Sequence, residues 1–188
     1  DIAKVSFTGS TRAGGAIMEN IAKTGVKPMT LELGGKSPQI VFADADLELV
    51  ADCLARGILP NAGQTCVAGT RLIVHRDVAA ALAQKLILAF AQEKPAATWE
   101  DPAGFSPIIS SQQLQRIDSI VQAAKSEGAE LLCGGKAFDR KGSFYQPTII
   151  AGVTDRNPAV TEEIFGPVVT LQTFASEEEA LTLGNHPT

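Results

Sequence analysis

An α/β fold, with a mainly parallel sheet and flanking helices, is the class this sequence predicts. Three observations predict it. Strand-like apolar runs alternate with helical stripes along the whole chain, the strand candidates are short and bounded by Gly, Pro, Asn or Asp, and several helices open on recognisable caps. The 188 residues are 45% hydrophobic and 20% charged, enough for one sizeable core or for one core and part of another.

The first strand is Lys4-Val5-Ser6-Phe7-Thr8, which runs into Gly9. A helix with Ala13, Ile17 and Ile21 on one face follows, and Gly25 ends it. Met29-Thr30-Leu31-Glu32-Leu33 alternates strictly, so Glu32 points away from the face carrying Leu31 and Leu33. Gln39-Ile40-Val41-Phe42 is a third strand and precedes Asp44-Ala45-Asp46. The next helix carries Leu47, Val50, Ala51, Leu54 and Ile58 as one buried stripe and runs towards Asn61-Ala62-Gly63-Gln64-Thr65-Cys66. Arg71 to His75 is a strand, and the helix through Leu82, Leu86 and Phe90 stops before Pro95. Loop chemistry at Pro95, Pro102, Gly104 and Pro107 separates it from another helix. There Ser110 and Gln113 have capping-box spacing, Leu114, Ile117, Val121 and Ala124 form the stripe, and Gly128 closes it. Strands follow at Leu131-Leu132-Cys133, Pro147 to Ile150 and Pro167 to Phe174, then a helix that Ser176 and Glu179 cap.

Composition excludes several classes of function. Net charge is −5 with no basic cluster, so neither a nucleic acid nor an anionic membrane is an expected partner. The longest apolar runs fall far short of a bilayer span. Cys53, Cys66 and Cys133 are an odd count without paired spacing, so neither a disulfide framework nor a metal site is expected. The expectation is a soluble chain in a reducing, cytoplasmic setting. The chain begins at Asp1 on the verge of a strand and stops at Thr188 straight after a helical pattern, as if cut from a longer protein at both ends.

Four segments carry candidate chemistry, each with a plain alternative. Cys66 sits in Gly-Gln-Thr-Cys-Val-Ala-Gly between a helix and a strand. Flanking glycines let backbone approach a ligand and leave N–H groups to favour a thiolate, the reactive form of cysteine. The alternative is a buried small hydrophobe, and for Cys53 and Cys133, which lack glycines on both sides, that alternative stands. Glu32, flanked by leucines just before Gly34-Gly35, is costly to bury unless paired or used as a general base. Its alternative is a glutamate on the solvent face of a strand. Gly9-Ser10-Thr11-Arg12-Ala13-Gly14 joins a strand to a helix, where free N–H groups bind phosphate or a Ser simply caps. Glu162-Glu163-Ile164-Phe165-Gly166-Pro167 is a turn into a strand. Its carboxylate either accepts from a ribose hydroxyl or stays solvated.

Taken together, Phe7-Thr8-Gly9-Ser10-Thr11, Leu31-Glu32-Leu33-Gly34-Gly35-Lys36, Gly63-Gln64-Thr65-Cys66 and Glu162 to Pro167 resemble the aldehyde dehydrogenase superfamily, in its order and at its spacing. The resemblance covers essentially the whole chain. It implies a three-layer α/β/α catalytic domain, with residues 1–27 the tail of a cofactor-binding domain and 28–188 a catalytic domain truncated at its C-terminal end. It implies catalysis by Cys66, which attacks an aldehyde to give a thiohemiacetal. Loss of hydride to NAD or NADP then leaves a thioester, which water activated by Glu32 hydrolyses to the acid. The Cys66 backbone N–H is implied as a donor to the developing oxyanion. Gly9, Ser10 and Gly14 are implied near the cofactor pyrophosphate, the Leu33 backbone near the nicotinamide amide, Glu163 on the nicotinamide ribose and Phe165 beside the ring. Gln113 and Arg116 are implied to approach that ribose.

The resemblance also places the second oxyanion donor, the adenine-ribose contacts and an oligomerisation strand outside this chain. An incomplete site with little activity in isolation is therefore expected, within a parent that forms a homodimer or homotetramer. Two rivals remain. One transfers the acyl group from Cys66 to coenzyme A, which Glu32 disfavours because water attack is what needs a base. The other is an inert structural fragment.

Overall fold

Strand and helix alternate through the computed structural model, which describes residues 2–97, 99–100 and 105–185. Pro102 and Gly104 of the expected loop, and His186, Pro187 and Thr188, lie outside the described residues. The chain divides into two compact units, Asp1–Gly35 and Lys36–Thr188.

The first unit is a small β-α-β element. Strand β1 (Val5–Thr8) pairs in parallel with β2 (Met29–Glu32), and helix α1 (Thr11–Thr24) makes the crossover. Both strands alternate half-buried and exposed residues, the period expected of a strand with one covered face. Ser10 caps α1 by accepting from the Ala13 N–H at 3.2 Å, and Gly25, at φ 120°, follows its last turn. Because β2 pairs with β1, the boundary between the compact units falls at Gly35/Lys36.

The second unit is built on a five-stranded sheet in the order β3-β4-β7-β6-β5. Its strands are β3 (Pro38–Val41), β4 (Arg71–His75), β5 (Glu130–Cys133), β6 (Thr148–Ala151) and β7 (Val168–Phe174). All neighbours run parallel except β5 on β6. The buried run of β4 and β7 matches strands covered on both faces. On one face Val41, Leu72, Val74, Ile149 and Leu171 pack against α2 (Leu47–Ile58) and α3 (Arg76–Ala91). On the other, Ile150 and Val168 meet α4 (Ser111–Ser126) and the one-turn helix α5 (Pro158–Thr161). Ile73 and Phe174 meet α6 (Glu177–Gly184) on that same side. The result is the helix–sheet–helix layering the sequence predicts. Each fully buried Leu or Ile in these layers contributes about 1.5–3 kcal/mol.

The caps follow the sequence closely. Asp46 accepts from the Glu48 and Leu49 N–H groups at the start of α2. At α6, Ser176 accepts from the Glu179 N–H while Glu179 accepts from the Ala175 N–H. At α4 the expected box is half made: Ser110 accepts from the Gln113 N–H, but the Gln113 side chain is spent elsewhere. One buried guanidinium ties distant segments. Arg71, 3% exposed, donates to the carbonyls of Lys36 (2.8 Å), Leu183 (2.8 Å) and Gly184 (3.1 Å). Burial lowers its pKa from the usual arginine value, and the carbonyls supply what the lost water did. Among the described residues no helix is long and apolar enough to cross a membrane.

Candidate active site

In the first unit the candidate cofactor and base residues lie around one strand–helix junction. The Gly9 N–H donates to the Glu32 carbonyl at 3.0 Å, which brings the end of β1 beside the end of β2. Gly14 faces Leu33, and a Cβ there would lie 2.8 Å from the end of the Leu33 side chain, which would have to shift. Ser10 uses its hydroxyl on Ala13, the capping role, and leaves its place at the helix N-terminus to the backbone. Glu32 is exposed, on the opposite face of β2 from half-buried Leu31, as the alternation predicts. It is a solvated carboxylate and not a desolvated one.

In the second unit the Cys66 turn departs from regular backbone. After α2 a 3-10 turn, Pro60–Gly63, places Asn61 at φ 52°, Ala62 at φ 53° and Gly63 at φ 70°. Asn61 and Ala62 both sit in the left-handed region, which Asn61 tolerates and which costs Ala62 about 1–2 kcal/mol. Gly63 is obligatory here, since a Cβ would lie 2.2 Å from the Gly166 carbonyl oxygen. That contact sets the backbone of the Cys66 turn directly against the Glu162–Pro167 turn. Cys66 itself is exposed, between exposed Thr65 and Val67. The packing alternative for this cysteine is thereby removed. Cys53 is exposed as well, a correction to its expected burial: the α2 stripe of Ala51, Leu54, Ala55 and Ile58 turns it to solvent. Cys133 is half-buried, and burial raises its thiol pKa.

The Glu162–Pro167 turn is held from behind by α4. Gln113 Nε2 donates to the Ile164 (2.9 Å) and Phe165 (3.1 Å) carbonyls, and Arg116 Nη1 to those of Glu163 (2.8 Å) and Ile164 (3.2 Å). These side chains clamp the turn from α4. The turn needs the clamp because Phe165 lies at φ 54°, a strained conformation for a bulky residue. Glu163 and Phe165 are half-buried there. Beside Glu163 is a member of the Leu31–Lys36 motif to which the sequence gives no role. Lys36 is 5% exposed, and its Nζ has no hydrogen-bond partner. Burial first, and the positive charge of Arg71 second, push its pKa down to about 7, against the opposing pull of Glu163.

The motifs single out Cys66, Glu163 and Phe165 but give no sign of what positions them. Asn61, Ala62 and Phe165 carry no glycine to announce a left-handed backbone. A lysine directly after Gly34-Gly35 is visible in the sequence, but its burial is a tertiary fact. Among the described residues no group of three or more His, Cys, Asp or Glu is placed to hold a metal ion.

The sequence profile of the aldehyde dehydrogenase family matches residues 1–187. The chain is 41% identical to a chloroplastic betaine aldehyde dehydrogenase of Amaranthus hypochondriacus, over 98% of this chain and 37% of that protein. It is 43% identical to a peroxisomal aminoaldehyde dehydrogenase of Pisum sativum, with the same coverage of 98% and 37%. Among solved structures, an aldehyde dehydrogenase of Bacillus cereus with NAD+ matches at a TM-score of 0.95 and 41% identity, over 99% of this chain and 38% of that one. A betaine aldehyde dehydrogenase of Staphylococcus aureus with NAD+ matches at 0.93 and 39%, over 99% and 37%. The chain therefore spans little more than a third of the length of these relatives.

Proposed function

Because the chain belongs to the aldehyde dehydrogenase family, we propose that it carries the covalent machinery for oxidising an aldehyde to a carboxylic acid, with Cys66 as nucleophile and Glu32 as general base. The observation that carries this reading is the exposed Cys66 on a strained turn whose backbone abuts the Glu162–Pro167 turn. A thiol offered to solvent by a costly backbone is better explained by use than by packing.

In this reading the Cys66 sulfur adds to the aldehyde carbonyl, and its backbone N–H donates to the oxygen that gains charge. A nicotinamide cofactor, when bound, supplies the hydride acceptor. Loss of hydride leaves the acyl group on Cys66 as a thioester. Glu32 takes a proton from water, the hydroxide equivalent adds to the acyl carbon, and the Cys66 thiolate leaves. Exposure of Glu32 keeps water at hand for that step.

The residues present fit such a cofactor. Gly9 and Ser10 open α1, whose first-turn N–H groups suit a pyrophosphate, and Gly14 seats the helix against Leu33. Glu163, half-buried on its clamped turn with Phe165, suits a ribose hydroxyl, and the orphaned Lys36 amine beside it marks a polar place with unused capacity. NAD, the cofactor in the solved neighbours, is the first candidate, and NADP the second. In this reading residues 1–27 belong to the cofactor-binding part and residues 28–188, with Glu32 and Cys66, to the catalytic part of a larger, homo-oligomeric protein in a reducing compartment.

The test is an aldehyde panel that includes betaine aldehyde and aminoaldehydes, run with NAD on a protein of the relatives' full length carrying this chain. Cys66→Ala is expected to abolish NADH formation. Glu32→Gln is expected to give one burst of NADH per site and then stall with the acyl group on Cys66. Full turnover in Cys66→Ala would end the assignment. The 188-residue chain alone is expected to reduce little or no NAD.

A further inference from the structure

We propose that Gln64 is a positioning residue for Cys66: its side-chain amide ties the turn that presents the thiol to the Pro107–Ile109 segment and so fixes the direction in which the sulfur faces. This rests on the reading of Cys66 as the nucleophile, and goes beyond it by naming what aims it.

The amide of Gln64 is fully engaged. Nε2 donates to the Asn61 carbonyl at 2.9 Å and to the Pro107 carbonyl at 3.1 Å, while Oε1 accepts from the Ile109 N–H at 2.8 Å. Asn61 answers with its own amide, whose Nδ2 donates to the Gln64 carbonyl at 2.9 Å. Two of these bonds reach more than forty residues along the chain, so they are tertiary anchors and not local turn chemistry. The anchor is itself held, because Ile108 is buried and its N–H donates to the Ser143 carbonyl.

The need for such an anchor follows from the backbone. Asn61 and Ala62 are both left-handed without being glycine, a shape the turn would not keep unaided. Gly63 against the Gly166 carbonyl restrains one side. Gln64, at 9% exposure, is the last buried residue before the exposed arc of Thr65, Cys66 and Val67. On the far side of the arc, Gln39 Nε2 donates to the Gly69 carbonyl at 2.8 Å. The thiol is thus carried on a short exposed arc pinned at each end by a glutamine amide. Gln64 is the nearer pin and the one that also closes the strained turn. A methionine there fills the same space but leaves the Pro107 carbonyl and the Ile109 N–H unanswered, while the Asn61 carbonyl keeps the Gln64 backbone N–H.

The experiment uses the 188-residue chain and iodoacetamide, with the rates at Cys66 and Cys53 read separately by peptide mass spectrometry. In the unsubstituted chain Cys66 is expected to react about tenfold faster than exposed Cys53. In Gln64→Met the ratio is expected to fall to about one while the Cys53 rate and the circular dichroism stay unchanged. Leu86→Ala, a core cavity on α3, is expected to lower stability without moving the ratio, which separates aiming from mere stability. If Gln64→Met does not fold, Gln64→Glu stands in for it, since it keeps the acceptor for Ile109 and loses both donors. A ratio that survives in the Gln64 variant, or that collapses equally in Leu86→Ala, overturns the proposal. Equal rates at Cys66 and Cys53 in the unsubstituted chain overturn the nucleophile reading and this one with it.

Discussion

Cys53 and Cys66 are both exposed thiols in the same stretch of chain, and they sit on opposite kinds of backbone. Cys53 rides the outer surface of α2, a regular helix whose buried stripe turns it away from the core. Cys66 follows two left-handed non-glycine residues and a glycine pressed against another turn. Exposure alone does not tell a working thiol from a bystander. The backbone beneath separates the two, because such strain persists only where surrounding contacts hold it. The clamps at Gln64, Gln113 and Arg116 are those contacts, and nothing of the kind surrounds Cys53 among the described residues.

The largest expected effect breaks the comparison at its centre. In a full-length protein Cys66→Ala should lower aldehyde oxidation by a factor on the order of a thousand or more, and Cys53→Ala should leave it within about twofold, as a steady-state NADH assay would read. Comparable losses in both variants would erase the distinction.

Next in size is Lys36, beside the turn on which the Cys66 loop rests. Its folded pKa of about 7 lies below the 10.5 of a free lysine, so the unfolded chain binds the extra proton between those values. The folded state therefore bears the full penalty below pH 7 and loses it as pH rises through 7 towards 10.5. Lys36→Met should raise stability at pH 6 by roughly 3–5 kcal/mol and flatten the alkaline rise, in urea titrations of both chains across that range. A parallel pH dependence in the two chains would count against a buried amine.

Two glycines sharpen the contrast further. Gly63→Ala forces a Cβ onto the Gly166 carbonyl at positive φ, and should destabilise by about 2–4 kcal/mol in chemical denaturation. Labelling provides the intermediate case: Cys133, half-buried and with its thiol pKa raised, should alkylate about tenfold more slowly than Cys53 at neutral pH. The smallest effect has the opposite sign to Gly63→Ala. Gly57 lies in α2 with only ordinary contact available to a Cβ, from Gln39 at 3.8 Å. Gly57→Ala should therefore stabilise by about 0.5 kcal/mol. The same sign at both glycines would mean the Cys66 turn is not strained.

Much of this was legible in the sequence. Leu47–Ile58 is read directly from its period, because it is long enough for the stripe to repeat, and Arg71–His75 from its short β-branched apolar run. Ser10, Ser110 and Ser176 all cap where their spacing says they should. α5 escapes notice since Pro158–Thr161 is a single turn, too short to show a stripe. The burial expected of Cys53 was avoidable, as its place off the Leu47, Val50, Leu54 and Ile58 stripe is written in the sequence. The supports of the candidate site were not legible. Gln64, Gln113 and Arg116 act on carbonyls or amides more than forty residues away, and no local pattern encodes such a partner.

Arg71 has a bearing on how the chain reaches this state. Its guanidinium closes on carbonyls at Lys36 and at Leu183–Gly184, so the outermost strand, its neighbour and the last helix are locked by one event. Until Gly184 has emerged during synthesis that knot cannot be tied, and β3 waits at the sheet edge for a helix made long after it.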